Sequence, residues 1–218
     1  PGEVLGLAGL KGSGRTEILN NLFGIEKIEE GDIKINGNSV NINSPNEAIE
    51  NKLFLVPENR HTQGLSLDHT IYFNMLLPLL DELEDKFIDD KRGKEIVNNY
   101  INLLDIKTDT LNSKANELSG GNQQKVVISK SLAVEPEILL MDDPTYGVDI
   151  HTKKEIMNLL NDLAREQKKG ILLVSSEMKE LVSNCDRILI IKDKKIVKEV
   201  DNVFKTDYTL ESLTSDIQ

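Results

Sequence analysis

The chain has 218 residues, enough for one large or two small domains, with 39% hydrophobic and 29% charged residues, as an ordinary globular chain has. A net charge of −11, a sequence pI near 4.8 and only 4% aromatics exclude a surface built for nucleic acid, which needs clustered Lys and Arg and rings to stack on bases. No apolar run reaches the roughly 18 residues of a bilayer span, and the single cysteine, Cys185, rules out an internal disulfide, fits a reducing compartment and reads as core filling.

Pro1-Gly2-Glu3 runs straight into an apolar strand, Val4-Leu5-Gly6-Leu7-Ala8. A start so close to the motif that follows leads us to expect a chain cut from a longer polypeptide. Next come Gly9-Leu10-Lys11-Gly12-Ser13-Gly14-Arg15-Thr16 and a helical pattern, Glu17 to Phe23. Strand, glycine loop and helix are the context of a phosphate-binding P-loop. Its glycines let successive N–H groups turn inward, and the helix adds positive charge at its N-terminus. Gly9, Gly12, Ser13, Gly14, Arg15 and Thr16 are the expected nucleotide-binding residues, with the Thr16 hydroxyl on a magnesium ion. Arg15 departs from the lysine of G-x-x-x-x-G-K-[ST], and a planar fork is not equivalent to a compact ammonium. Taken alone, the stretch also describes a glycine-rich turn.

Farther on, Ile33 and Ile35 alternate with polar residues before the turn signal Asn36-Gly37. Ser44 is placed to cap a short helix opened by Pro45. Leu53-Phe54-Leu55-Val56 reads as a buried strand ended by Pro57. From about 65 to 117 the pattern is helical, at Ile71 to Leu77 and again at Ile96 to Leu104, and we expect a helical subdomain inserted in an α/β core. Asp81-Glu82-Leu83-Glu84-Asp85-Lys86 reads as a solvated connector. Ile138-Leu139-Leu140-Met141 and Ile171-Leu172-Leu173-Val174 read as buried strands around a helix from Ile150 to Gln167. Arg187 to Lys192 and Lys195 to Val200 read as a hairpin about Asp193-Lys194. Apolar runs alternating with helices predict a mostly parallel sheet covered on both faces.

Two more motifs carry chemistry. Leu118-Ser119-Gly120-Gly121-Asn122-Gln123-Gln124-Lys125 opens a helix expected over Gln123 to Leu132, making either an anion-binding end or a plain N-cap and turn. The strand Ile138 to Met141 ends in Asp142 and Asp143. The first is suited to magnesium through its water shell, the second to orienting or deprotonating an attacking water.

In this order, these motifs resemble the ABC transporter ATPases over the whole chain. Leu118 to Gln124 matches the family signature, and Gly147-Val148-Asp149 matches its D-loop. The closer resemblance is to the second ATPase half of two-domain monosaccharide importers of the ribose, galactose and xylose type. There Gly12-Ser13-Gly14-Arg15-Thr16, Pro57-Glu58-Asn59-Arg60 with Gly64-Leu65, the signature and Ser175-Ser176-Glu177 all have counterparts. The resemblance implies a P-loop NTPase (RecA-like) α/β core over 1–64 and 118–218. It adds an inserted α-helical subdomain over 65–117 and a partial antiparallel β subdomain.

It further implies ATP and Mg²⁺ as cofactors, with Thr16, Asp142 and Glu58 near the metal and Asp143, Glu58 and Ser176 at the catalytic position. Leu118, Ser119, Gly120, Gly121, Asn122 and Gln123 would complete the ATP site of a partner domain, helped by Asp149. Asp143 stands where such halves usually carry glutamate, one methylene longer, and Ser176 where other members carry a switch histidine. With Arg15 these give a weak P-loop site and an intact signature. His61, His69 and His151 read as structural or surface residues. The implied partners are the first ATPase domain of the same polypeptide, integral membrane permease subunits and, indirectly, a sugar-binding protein, with no nucleic acid. The implied location is the cytoplasmic face of the cell membrane. Three readings stay open: an importer ATPase half with a slow or silent site, a non-hydrolysing regulatory module, and a soluble ABC protein of repair or translation. An importer of nucleosides or of a signalling sugar is a variant of the first. Because this family stacks adenine on an aromatic ahead of the P-loop strand, ATP binding to the isolated chain is expected to be weak.

Overall fold

The computed structural model describes residues 1–80, 90–201 and 209–217. In chain order its elements are β1 (Val4–Ala8), α1 (Arg15–Leu22), β2 (Ile33–Ile35), β3 (Asn38–Val40), α2 (Pro45–Glu50), β4 (Leu53–Val56), α3 (Ile71–Leu76), α4 (Asp90–Leu103), α5 (Gly120–Ala133), β5 (Ile138–Asp142), α6 (Ile150–Arg165), β6 (Gly170–Val174), α7 (Met178–Asn184), β7 (Arg187–Lys192), β8 (Lys195–Val200) and α8 (Leu210–Ile217). A π-helical turn, Arg60–Gly64, and short 3-10 turns at Leu77–Leu79 and Ala115–Glu117 fill the connections. The connector expected at residues 81–86 lies outside the described residues.

Two compact units emerge, Pro1–Leu55 with Pro136–Pro144 and Met157–Gln218, and Val56–Glu135 with Thr145–Ile156. The second contains the whole of the helical stretch expected at 65–117, together with residues 56–64, 118–135 and 145–156.

The first unit is built on a six-stranded sheet of order β4-β5-β6-β1-β7-β8. β5, β6, β1 and β7 run parallel, and β8 returns antiparallel to β7. Apolar runs produce this arrangement because a parallel strand is covered on both faces. Thus Leu139, Leu140, Met141, Leu173 and Ile190 are almost wholly buried. A core of Leu7, Leu19, Phe23, Ala48, Leu55 and Leu140 sits between the sheet and α1 and α2. β2 and β3 form a separate two-stranded sheet about Asn36-Gly37, where both residues take positive φ (51° and 82°). The Ser44 hydroxyl accepts from the Glu47 N–H at 3.3 Å and caps α2. Cys185 is fully buried, and burial pushes its thiol pKa up, so it packs rather than reacts.

In the second unit, Ile71, Met75 and Leu76 of α3, Val97 of α4 and Val126, Val127 and Ile128 of α5 are buried. The Tyr100 hydroxyl donates to the Leu132 carbonyl at 2.7 Å. Buried Asn74 ties down the loop before α3. It accepts from the Ser66 N–H at 2.7 Å and donates to the Ser66 and Thr70 carbonyls at 2.9 and 3.0 Å.

Two helix limits differ from the sequence reading. α5 starts at Gly120, not Gln123, because the Ser119 hydroxyl accepts from the Asn122 N–H and fixes the first turn there. α6 ends at Arg165, not Gln167, and Lys168 takes a left-handed φ of 58° with no glycine to announce it.

Candidate nucleotide site

Parallel register decides which residues meet. β6 lies between β1 and β5, pairing Leu7 with Val174 on one side and Asp142 with Val174 on the other. Three segments therefore leave the sheet at the same, carboxyl end of the strands: the loop after Ala8, Asp143 after β5, and Ser175-Ser176 after β6. Ligand crevices of open α/β sheets lie outside the carboxyl ends of the strands.

The loop from Gly9 to Gly14 folds back on itself, with the Ser13 N–H donating to the Leu10 carbonyl at 3.0 Å. Gly14 takes φ 106° as it enters α1, a conformation L side chains rarely adopt, which explains a glycine there. The Ser13 carbonyl accepts from the Lys194 N–H at 3.1 Å, so the β7–β8 turn backs the loop. The Ser13 hydroxyl is buried with no hydrogen-bond partner among the described residues. An orphaned polar atom of this kind, in a loop ending at a helix N-terminus, suits an anionic ligand.

Arg15 does not point free into the site. Its Nη1 donates to the Ser175 carbonyl at 3.1 Å. Asp142 and Asp143 are both buried, at 5% and 8% exposure, and Asp143 takes φ 48° while its N–H bonds the Val174 carbonyl at 2.9 Å. The Asp143 carboxylate accepts the Ser176 N–H at 3.1 and 3.0 Å, and the Ser176 hydroxyl at 3.1 Å. Ser175 is fixed from the other side, its hydroxyl donating to Glu180 Oε2 at 2.7 Å. Beside these groups lies a cavity of about 220 Å³ lined by Lys11, Arg15, Ser176, Met178, Leu181 and Ile217 among others.

The remaining expected site residues belong to the second unit. Glu58 is exposed, just before the Arg60–Gly64 turn. Leu118 and Ser119 precede α5, and Gly120, Gly121, Asn122 and Gln123 form its first turn. The Asn122 side chain donates to the Ser119 hydroxyl at 3.0 Å and accepts the Lys107 N–H at 2.9 Å. Gln123 is buried. Its Oε1 lies 2.8 Å from His61 Nε2, and its Nε2 donates to the Ala115 carbonyl at 3.0 Å. Asp149 caps α6, accepting the N–H groups of His151 and Thr152 at 3.0 Å each and the Thr152 hydroxyl at 2.7 Å. The Thr152 bond, more than any other, holds the Asp149 pKa below its ordinary value.

Three features escaped the sequence reading. Lys194 reaches the loop through a hairpin that was predicted, but nothing in the sequence says where that hairpin packs. Ile217 enters the cavity wall from α8, distant in sequence. Arg60 was visible as a motif letter, while its contacts were not.

A strand, a phosphate-type loop, a helix and an acid-tipped neighbouring strand define a P-loop NTPase core. The ABC transporter family model matches residues 1–146, and the chain belongs to that family. It is 43% identical over 202 residues to the ribose import ATP-binding protein RbsA of Geobacillus kaustophilus, covering 92% of this chain and 41% of the relative. It is 42% identical over 200 residues to the protein of the same description from Bacillus subtilis, covering 91% and 40%. The chain thus spans about two fifths of the length of these relatives. Among solved structures, the dimeric bacterial ABC transporter cassette MJ0796 matches with TM-score 0.77 at 28% identity, over 92% of this chain and 85% of that one. The post-hydrolysis state of MJ0796 bound to ADP and Pi matches with TM-score 0.78 at 26% identity, with the same coverage. The α/β core with its mostly parallel sheet and antiparallel strand pairs agrees with the fold expected from the sequence.

Proposed function

We propose that this chain is one ATP-binding half of a monosaccharide importer ATPase, the second of two such domains in one polypeptide. In this reading it holds MgATP at a slow site of its own and supplies its signature segment to a faster site on the partner domain. Likeness to ribose import ATP-binding proteins over nine tenths of the chain supports the importer assignment. Ribose or a related sugar is accordingly the solute.

The slow site rests on one observation: Arg15, expected at the phosphates, and Asp143, expected to orient the attacking water, are both already engaged by the Ser175-Ser176 segment that follows β6. Arg15 is bonded to the Ser175 carbonyl, and the Asp143 carboxylate is bonded to Ser176. The loop amides, the orphaned Ser13 hydroxyl and Lys11 would hold the phosphates. No group of three His, Cys, Asp or Glu gathers for a metal among the described residues. Thr16 and Asp142 instead offer a hydroxyl and a carboxylate, a sparse oxygen set that suits a magnesium ion keeping its waters. That ion would supply charge neutralisation at the phosphates. Asp143, when released by Ser176, would orient the attacking water, at a reach one methylene shorter than glutamate gives. Positioning dominates phosphoryl transfer, so a displacement of about 1 Å is enough to slow it by about 100-fold.

Glu58 and the helical stretch 65–117 would link nucleotide state to the permease, which places the chain at the cytoplasmic face of the membrane. No helix among the described residues is long and apolar enough to cross a membrane; in this reading the chain meets the membrane through the permease. A sugar-binding protein acts indirectly, and nucleic acid has no role.

The test is sugar uptake by the complete transporter across pentoses and hexoses, with single-turnover ATP hydrolysis assigned to each of its two sites. We expect uptake of a pentose or related monosaccharide and slow turnover at this P-loop. Fast turnover here overturns the slow site, and uptake confined to non-sugar solutes overturns the importer assignment.

A further inference from the structure

Within the second unit, Arg60 occupies a place that the motif letters do not explain. Its Nη1 donates to the Tyr146 carbonyl at 2.8 Å and its Nη2 to the Gly147 carbonyl at 3.3 Å. These two carbonyls belong to the turn that leads into Asp149, where the Val148 N–H closes on the Thr145 carbonyl at 3.4 Å. A planar guanidinium fits two neighbouring carbonyls as a fork, which an ammonium does not. The same Nη2 presses on the start of α5: a Cβ added at Gly120 would stand 2.9 Å from it. The next glycine is crowded likewise, because a Cβ at Gly121 would stand 2.7 Å from the Thr152 hydroxyl, which is itself bonded to Asp149. One residue further along the chain, His61 reaches Gln123 on the first turn of α5.

We propose that Arg60 is a positioning residue that clamps the Tyr146-Gly147 turn against the start of α5, so that Asp149 and the Ser119–Gly121 segment meet the partner's nucleotide as one piece. The inference rests on the reading that this face completes a partner's ATP site. Arg60 need not touch ATP. It fixes the mutual placement of two segments that do, and the paired glycines are small because Arg60 and Thr152 stand where their side chains would be. The segment carrying Glu58 is thereby joined to the same piece, since Glu58 lies two residues before the clamp.

Two measurements test this on the full-length polypeptide with its permease. Amide hydrogen exchange over residues 146–152 is compared in wild type, Arg60→Met and Arg60→Lys, and steady-state kcat and KM for MgATP are measured on the same proteins. Loss of both bonds in Arg60→Met should speed exchange there and lower kcat, each by about tenfold, with KM and thermal midpoint little changed. Arg60→Lys keeps the charge and loses the fork, so it should recover less than half of either effect. Unchanged exchange in Arg60→Met overturns the clamp. Faster exchange with unchanged kcat overturns its role in positioning, and full recovery by Arg60→Lys shows that charge alone suffices, overturning the fork. If wild type hydrolyses no ATP, the proposed function falls, while the exchange comparison still decides whether Arg60 holds the turn.

Discussion

Asp143 illustrates how one residue's surroundings set its readiness. Its carboxylate accepts both the N–H and the hydroxyl of Ser176. Removing the hydroxyl alone, in Ser176→Ala, leaves the backbone donor and should cost about 0.5 to 1.5 kcal/mol of stability, read from the denaturant midpoint. Lys130 on α5 is the second instructive residue. Its Nζ donates to the Gly64 carbonyl at 2.5 Å, and burial pulls its pKa down to about 8 from the ordinary 10.5. Between those two pH values the unfolded chain binds a proton that the folded chain does not, so stability should rise with pH across that window. Below it both states are protonated and the full cost of burying the ammonium is present. We expect a gain on the order of 1 to 3 kcal/mol from pH 8 to 10.5 in wild type. Equilibrium unfolding of Lys130→Met should lack that slope. An identical slope in both proteins would assign it to other groups.

Among the elements, the β7–β8 hairpin is held under local strain. Asp193 and Lys194 take φ of 51° and 61°, the mirror-image turn that suits the right-handed strand twist but penalises residues with a Cβ. Lys194→Gly should relieve about 1 kcal/mol of this strain while keeping the N–H that holds Ser13. A raised midpoint with unchanged ATP affinity is the expected result. The hairpin also marks where sequence reading reaches and where it stops. Alternation and apolar runs placed β1, β4, β5, β6, β7 and β8, because a strand's period and burial are local properties. Ser44-Pro45 likewise announced α2. Helix ends were less legible: Lys168 stops α6 in a left-handed conformation that no residue type signalled. The candidate site was legible as a set of letters, from Gly9 to Thr16 and at Asp142, Asp143 and Ser176. Their pairing was not, since it depends on β6 lying between β1 and β5, and strand order leaves no mark in any one segment.

At the scale of the whole molecule, the proposed division of labour predicts opposite outcomes for two sets of changes. Arg15→Lys, Asp143→Glu and Ser176→His together rebuild the family's usual groups around this chain's own loop, and should alter full-length ATPase and transport little. Ser119→Arg adds bulk at the exposed start of α5, where the helix N-terminus would face the partner's phosphate, and should abolish most ATPase activity. Steady-state turnover of the full-length protein with its permease decides between them. Near-normal activity in Ser119→Arg, or a large gain from the triple change, would reverse the assignment of the two sites.

A single peptide group joins the two residues on which the proposed slow site depends. The carbonyl holding Arg15 and the N–H holding Asp143 are the two ends of the single bond plane joining Ser175 to Ser176. A peptide plane is stiff, so its two poles turn together. Rotating it would weaken the hold on the cation and on the carboxylate in one movement, leaving Asp143 only the Ser176 hydroxyl. Arg15 and Asp143 should therefore behave as a thermodynamic pair linked through a third party. A double-mutant cycle of Arg15→Ala and Asp143→Asn on unfolding free energy should give a coupling above about 0.5 kcal/mol, where independent sites would simply add.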